Sequence, residues 1–196
     1  MIVVVDYRAG NLTSVKKALD HVGANCVISD DPGVVAKADK IILPGVGHFS
    51  ATTTLERSGL RAAIQHAVDR GVPFLGICVG MQWMFDASEE APGVRGLGTF
   101  PGCCTHFPPQ VKAPHVGWNQ LEVENESSLL RGVASGAFVY FTHSYRAPLV
   151  ADTVACCHYG GPFSAAVERG HLFGAQFHPE KSGDVGLTIL ENFCRL

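Results

Sequence analysis

The feature that most constrains the fold is the alternation of short apolar runs with helix-patterned segments through the first half of the chain. Ile2 to Val5 is a β-branched run suited to a buried strand, and Leu12, Val15, Ala18, Leu19 and Val22 then recur at helical spacing up to Gly23. Cys26 to Ser29 reads as a second strand, and Asp31-Pro32 as an N-cap with proline at the first position of a short helix. Lys40 to Leu43 is a third strand, ending in the loop Pro44-Gly45-Val46-Gly47. Leu60 to Asp69 is helical and stops at Gly71, after which Val72 to Ile77 runs into Cys78. Strands joined through helices pair in parallel, and a parallel sheet must be covered on both faces. The expected fold is therefore α/β, a doubly wound, mostly parallel sheet flanked by helices, with its site at the carboxyl ends of the strands.

The second half differs. Gly, Pro and aromatic residues crowd positions 96 to 118, and strand-like runs follow at Leu121–Val123, Phe138–Phe141, Thr153–Cys157 and Leu172–Gln176. These are expected to be antiparallel additions to the sheet, closed by a helix over Val185–Phe193. No linker or low-complexity tract divides the chain, so residues 1–196 are expected to form a single domain, long enough to bury a core without staples.

Hydrophobic residues make up 46%, charged residues 17%, and the net charge is -3, a balance that excludes an electrostatic nucleic-acid binder. The apolar start is stopped by Asp6, and no run reaches the roughly 18 apolar residues of a membrane span. A cytoplasmic location without membrane partners is expected. Seven cysteines, an odd number without CxxC or zinc-like spacing, indicate reduced and mostly buried thiols, with neither metal nor cofactor expected.

One cysteine stands apart. Gly76-Ile77-Cys78-Val79-Gly80 has the form of a nucleophile elbow between an apolar strand and the helical pattern Met81, Trp83, Met84, Phe85. Two glycines permit a sharp turn where a Cβ would collide with a neighbouring strand or helix. A following helix N-terminus would favour the thiolate. Far along the chain, the run Leu172–Phe177 delivers His178-Pro179-Glu180. A cysteine nucleophile needs a base, and the base needs an anion to fix its tautomer; His178 and Glu180 supply both. The oxyanion formed on attack needs backbone donors, available from Val79 and from the glycine-bearing loop Gly45, Val46, Gly47. His143 is a weaker candidate base, because its run lacks a carboxylate.

Gly76–Gln82 followed by His178-Pro179-Glu180-Lys181-Ser182 resembles the class I glutamine amidotransferases, whose triad is Cys, His and Glu in that order on a doubly wound sheet. Asp6–Leu12, Pro44–Gly47, Pro114–Asn119 and Phe141–Arg146 are similar to the branch that serves histidine biosynthesis, and the likeness covers essentially the whole chain. Relatives with the same triad serve other acceptors, including pyrimidine, purine and folate synthesis. The resemblance implies that glutamine is hydrolysed and that ammonia passes, within a heterodimer, to a (β/α)8-barrel cyclase making imidazole glycerol phosphate. It also implies that Gln82, Glu90, Ser144 and Tyr145 hold glutamine, and that Trp118, Asn119, Tyr140 and Lys181 face the cyclase. The ordinary alternatives are Trp118 as core filler, Tyr140 as strand packing and Lys181 as a solvated charge. Arg8 stands where the family usually has glycine, and Val116 where methionine is common.

Overall fold

The computed structural model describes residues 1–196. Its first half follows the alternation closely: β1 (Ile2–Val5), α1 (Leu12–His21), β2 (Cys26–Ser29), α2 (Pro32–Val35), β3 (Lys40–Gly45), α3 (Thr53–Arg57), α4 (Leu60–Asp69), β4 (Phe74–Cys78) and α5 (Val79–Gln82). Local chemistry sets the boundaries. Asp31 caps α2 by accepting from the Gly33 amide at 2.7 Å, with Pro32 at the first helical position. The second half adds β5 (Phe85–Ser88), β6 (Phe100–His106), β7 (His115–Gln120), β8 (Glu122–Val123), β9 (Phe138–His143), β10 (Tyr145–Arg146), β11 (Thr153–His158), β12 (Pro162–Arg169), β13 (Leu172–Ala175) and α6 (Gly183–Arg195).

The central sheet has the order β2-β1-β3-β4-β13-β12-β11-β8. Strands β2, β1, β3, β4 and β13 run parallel, and β12, β11 and β8 continue antiparallel. Helix α1 packs with α6, and α2 and α3 pack with α4, so the apolar strands are flanked by helices. No helix is long and apolar enough to cross a membrane.

Three expectations need correction. The run at Leu172 is not simply an antiparallel addition: β13 lies parallel to β4, Ala175 opposite Ile77, and only its other edge is antiparallel. Period-two hydrophobicity fixes which face is buried but not which edge is taken. The run at Phe138 leaves the central sheet altogether and pairs with β7 in a separate two-stranded ladder. Third, the helix after Cys78 is a single turn, and Phe85 belongs to β5. Aromatic and methionine residues packed all round are equally compatible with a buried turn and strand. Strands β5, β6 and β10, which form a third sheet, and the long β12 carry no periodic signal strong enough to have been read.

Candidate active site

The turn at Cys78 is a strained elbow. Cys78 has φ 54° and ψ -109°, a conformation that costs a non-glycine residue on the order of 1–3 kcal/mol and is held by its surroundings. The glycines on either side are required by space. A Cβ on Gly80 would come 1.9 Å from the Leu43 carbonyl oxygen on β3, and one on Gly76 would come 2.5 Å from the Gly80 oxygen. Close packing of strand, elbow and helical turn thus presents the sulfur at the carboxyl end of β4. The one-turn α5 reduces the dipole contribution expected from a full helix.

Parallel pairing of β13 with β4 carries His178 to the same end of the sheet. Its backbone amide donates to the Tyr140 carbonyl at 2.9 Å, and its carbonyl accepts from the Ser182 hydroxyl at 2.6 Å. Nδ1 of the ring lies 2.8 Å from Glu180 Oε1, with the two side chains 0% and 1% exposed. Such a contact fixes the neutral tautomer that carries its proton on Nδ1 and leaves Nε2 free to accept one. Burial opposes charge on this imidazole, but the neighbouring Cys78 and Glu180 outweigh it and push the pKa up to about 10. Nε2 itself makes no hydrogen bond, so the influence of Cys78 is felt through proximity and charge. The sulfur has only long contacts, 3.9 Å to the Thr142 carbonyl and 3.8 Å to Gln176 Nε2.

Beside the sulfur is a small cleft lined by Gly47, Cys78, Val79, Gln82, Glu90, Thr142, His143, Ser144 and Tyr145. All four residues expected to hold glutamine are therefore gathered at Cys78. Two of them already have partners. Gln82 donates to the Tyr145 carbonyl at 2.8 Å and to Gln176 Oε1 at 3.1 Å, and Glu90 accepts from the Phe49 amide at 2.7 Å. Glu90 follows closely on β5, and its neighbour Glu89 is exposed. Of the expected oxyanion donors, Val79 and Gly47 reach the cleft wall. Gly45 lies within β3 opposite Cys78 in the register. The amides of Val46 and Gly47 have no acceptor within the protein.

His143 also borders the cleft, and its hydrogen bonds exclude it as the base. Nδ1 lies 2.8 Å from the Tyr145 carbonyl, so it carries the proton and Nε2 must accept. That acceptor takes the Nδ1 proton of His115 at 3.2 Å, and His115 Nε2 in turn accepts from Asn119 Nδ2 at 3.3 Å. Burial drives both rings neutral, His143 down to about 3 and His115 down to about 4. His115 and Gln176 are site neighbours that the sequence reading missed; nothing in local spacing distinguishes them. Tyr7, whose buried hydroxyl lacks a partner and whose ionisation is pushed up by burial and by Cys78, is a third.

The remaining expected residues lie on the β7–β9 ladder and beside it. Alternation sends His115, Asn119, Phe141 and His143 to one face and Val116, Trp118, Phe138 and Tyr140 to the other. Trp118 is 54% exposed, so it is not core filler; it meets Tyr140 edge-on at 6.1 Å, and Lys181 Nζ stands 5.7 Å over the Tyr140 ring. Asn119 turns the other way, toward His115 and the His158 carbonyl.

Comparison with known proteins agrees with this geometry. The family model described as glutamine amidotransferase class-I matches residues 3–196. The chain belongs to this family. Among curated proteins, it is 46% identical to the imidazole glycerol phosphate synthase subunit HisH of Moorella thermoacetica, over 100% of this chain and 94% of that one. Proteins of the same name from Deinococcus radiodurans (45%; 99% and 93% covered) and Methanothermobacter thermautotrophicus (44%; 100% and 98%) are similarly close. Among solved structures, a crystal structure of a glutamine amidotransferase superposes with a TM-score of 0.78 at 18% identity, covering 100% of both chains. At that identity the likeness speaks for the amidotransferase fold alone.

Proposed function

We propose that this amidotransferase is the glutaminase subunit of an imidazole glycerol phosphate synthase in histidine biosynthesis, with Cys78, His178 and Glu180 as its triad. The observation that carries the reading is the β13–β4 pairing, which brings a buried His–Glu pair to the nucleophile elbow in a chain of this family. Full-length likeness to subunits of that synthase supports the choice of acceptor.

In this mechanism the Cys78 thiolate attacks the carboxamide carbon of glutamine, and the oxyanion is received by the backbone amides of Val79 and of Val46 and Gly47, just past β3. The His178 imidazolium gives its proton to the departing ammonia, leaving a thioester. His178 then takes a proton from water, whose oxygen attacks the thioester carbon; the C–S bond breaks, glutamate leaves and the Cys78 thiolate beside the imidazolium is restored. Glu180 holds the ring throughout and stabilises its charged form. Gln82, Glu90, Ser144 and Tyr145 surround the amino-acid end of the substrate, directly or through the loops they brace.

Ammonia freed into neutral water would be protonated and lose its nucleophilicity, so a sealed passage to a partner is needed. A (β/α)8-barrel cyclase, forming a heterodimer, fits the exposed apolar face of Val116, Trp118 and Phe138, which are 56%, 54% and 52% exposed. Tyr140 belongs to this face and its carbonyl holds the His178 amide, so docking would bear on the base through one residue. The deciding experiment measures glutamate release with and without the barrel cyclase and its nucleotide ligand. A large increase is expected; equal low rates would move the acceptor to another amidotransferase pathway.

A further inference from the structure

At the outer edge of the central sheet, β8 and β11 carry a cluster that hydrolysis does not use. Cys156 and Glu122 are cross-strand partners, His158 lies two residues beyond Cys156, and Glu124 lies two beyond Glu122. The cross-strand pairing and the two-residue period of β11 therefore put the side chains of Glu122, Cys156 and His158 on one side of the ladder, and Glu124 reaches the sulfur from just beyond β8. Cys156 Sγ is 3.5 Å from Glu122 Oε2 and 3.2 Å from Glu124 Oε1, and His158 Nε2 is 3.4 Å from Glu122 Oε2. Ligand atoms of Glu122, Cys156 and His158 all lie within 4.8 Å of one another.

A tetrahedral centre with metal–sulfur bonds near 2.3 Å and metal–nitrogen or metal–oxygen bonds near 2.0–2.2 Å has ligand-to-ligand edges of about 3.3–3.6 Å. The Cys156–Glu122 and Glu122–His158 contacts, 3.5 Å and 3.4 Å, have those lengths, and the third edge is within 4.8 Å. Sulfur, imidazole and carboxylate together suit a borderline cation such as zinc rather than magnesium or calcium, which take oxygen. Neither carboxylate is paired with a lysine or arginine. Both instead flank a sulfur that is 2% exposed, while Glu122, Glu124 and His158 are open to solvent.

We propose that Glu122, Cys156 and His158 form a binding site for a divalent cation of the zinc class, with solvent completing its coordination. On binding, the Cys156 S–H bond breaks, its proton goes to solvent, and a sulfur–metal bond forms with no change in oxidation state. Binding therefore releases one proton, which makes the affinity fall as pH falls. The ion clips the two-residue β8 to β11. His158 also accepts a hydrogen bond on its carbonyl from Asn119 at 3.2 Å, so the same clip steadies β7. Cysteine spacing along the chain could not reveal this site, because its ligands come from two strands brought together by the sheet.

The test uses full-length protein carrying Cys78→Ala, which removes the thiol of the hydrolytic cleft, stripped with a chelator and titrated with cobalt(II) and then zinc(II). The expected result is one ion per chain, a thiolate-to-cobalt charge-transfer band that zinc abolishes, and a raised Tm. Cys156→Ser should eliminate the band. The exposed substitutions His158→Ala and Glu122→Gln should weaken binding about tenfold or more. No saturable band, or affinity unchanged in both exposed variants, would overturn the site, whatever the folding of the Cys156 variant.

Discussion

His178 Nδ1 and Glu180 Oε1 lie 2.8 Å apart with both side chains sealed from solvent, so the carboxylate can act only through the ring it touches. Glu180→Gln preserves shape but removes the anion and can present an N–H to Nδ1, favouring the wrong tautomer. In the presence of the cyclase, kcat for glutamate formation is expected to fall on the order of 10^3- to 10^4-fold with little change in KM. Steady-state kinetics against wild type checks this, and a loss below tenfold would remove Glu180 from the triad.

The same pair governs when the base is charged. His178 is held protonated up to about 10, in part by Cys78, and the unperturbed value is 6.5. Removing the sulfur in Cys78→Ala is expected to lower the titration midpoint of the His178 ring, read by nitrogen NMR of the imidazole. An unchanged midpoint would mean that the nucleophile and the base are not coupled.

His115 and His143 work in the opposite direction. Their folded values, about 4 and about 3, lie below the 6.5 of the unfolded chain, so the unfolded state takes up protons first as pH falls. Their contribution is complete above pH 6.5 and shrinks below it, by up to about 1.4 kcal/mol per pH unit for each ring, until the folded forms protonate. Urea midpoints should therefore drop between pH 6 and pH 4.5. His115→Phe, which keeps the stacking on Tyr159 and Phe141, should flatten that drop.

Trp118 tests the docking face. Being 54% exposed, it contributes little to folding, so Trp118→Ala should change stability by less than about 0.5 kcal/mol. If the proposed docking face is the cyclase interface, the same substitution should weaken cyclase binding by about 2 kcal/mol or more, roughly thirtyfold, in a calorimetric titration. Unaltered affinity would place the partner elsewhere.

Arg8 has φ 65°, the left-handed region that favours glycine. A side chain there costs about 1–2 kcal/mol, against about 0.5–1 kcal/mol of extra chain entropy for glycine. Arg8→Gly is expected to stabilise the protein by up to about 1 kcal/mol in urea denaturation, whereas Arg8→Ala, with the same Cβ, should give no such gain.

By itself, the sequence determined what depends on neighbours along the chain. The βα alternation from Ile2 to Cys78, the cap at Asp31, the limits of α4 and the glycines of the elbow are local, because propensity, periodicity and turn geometry act within a few residues. The pair His178 and Glu180 was legible for the same reason, being two residues apart. Tertiary structure alone decided which strand lies beside β4, because strands of similar burial can occupy either edge until the whole sheet forms. It also took β9 out of the central sheet to pair with β7, leaving one face of their ladder bare. The relay from His143 through His115 to Asn119, and the meeting of Cys156 with Glu122 and His158, join residues whose contact is set by cross-strand register and packing, interactions no local window contains.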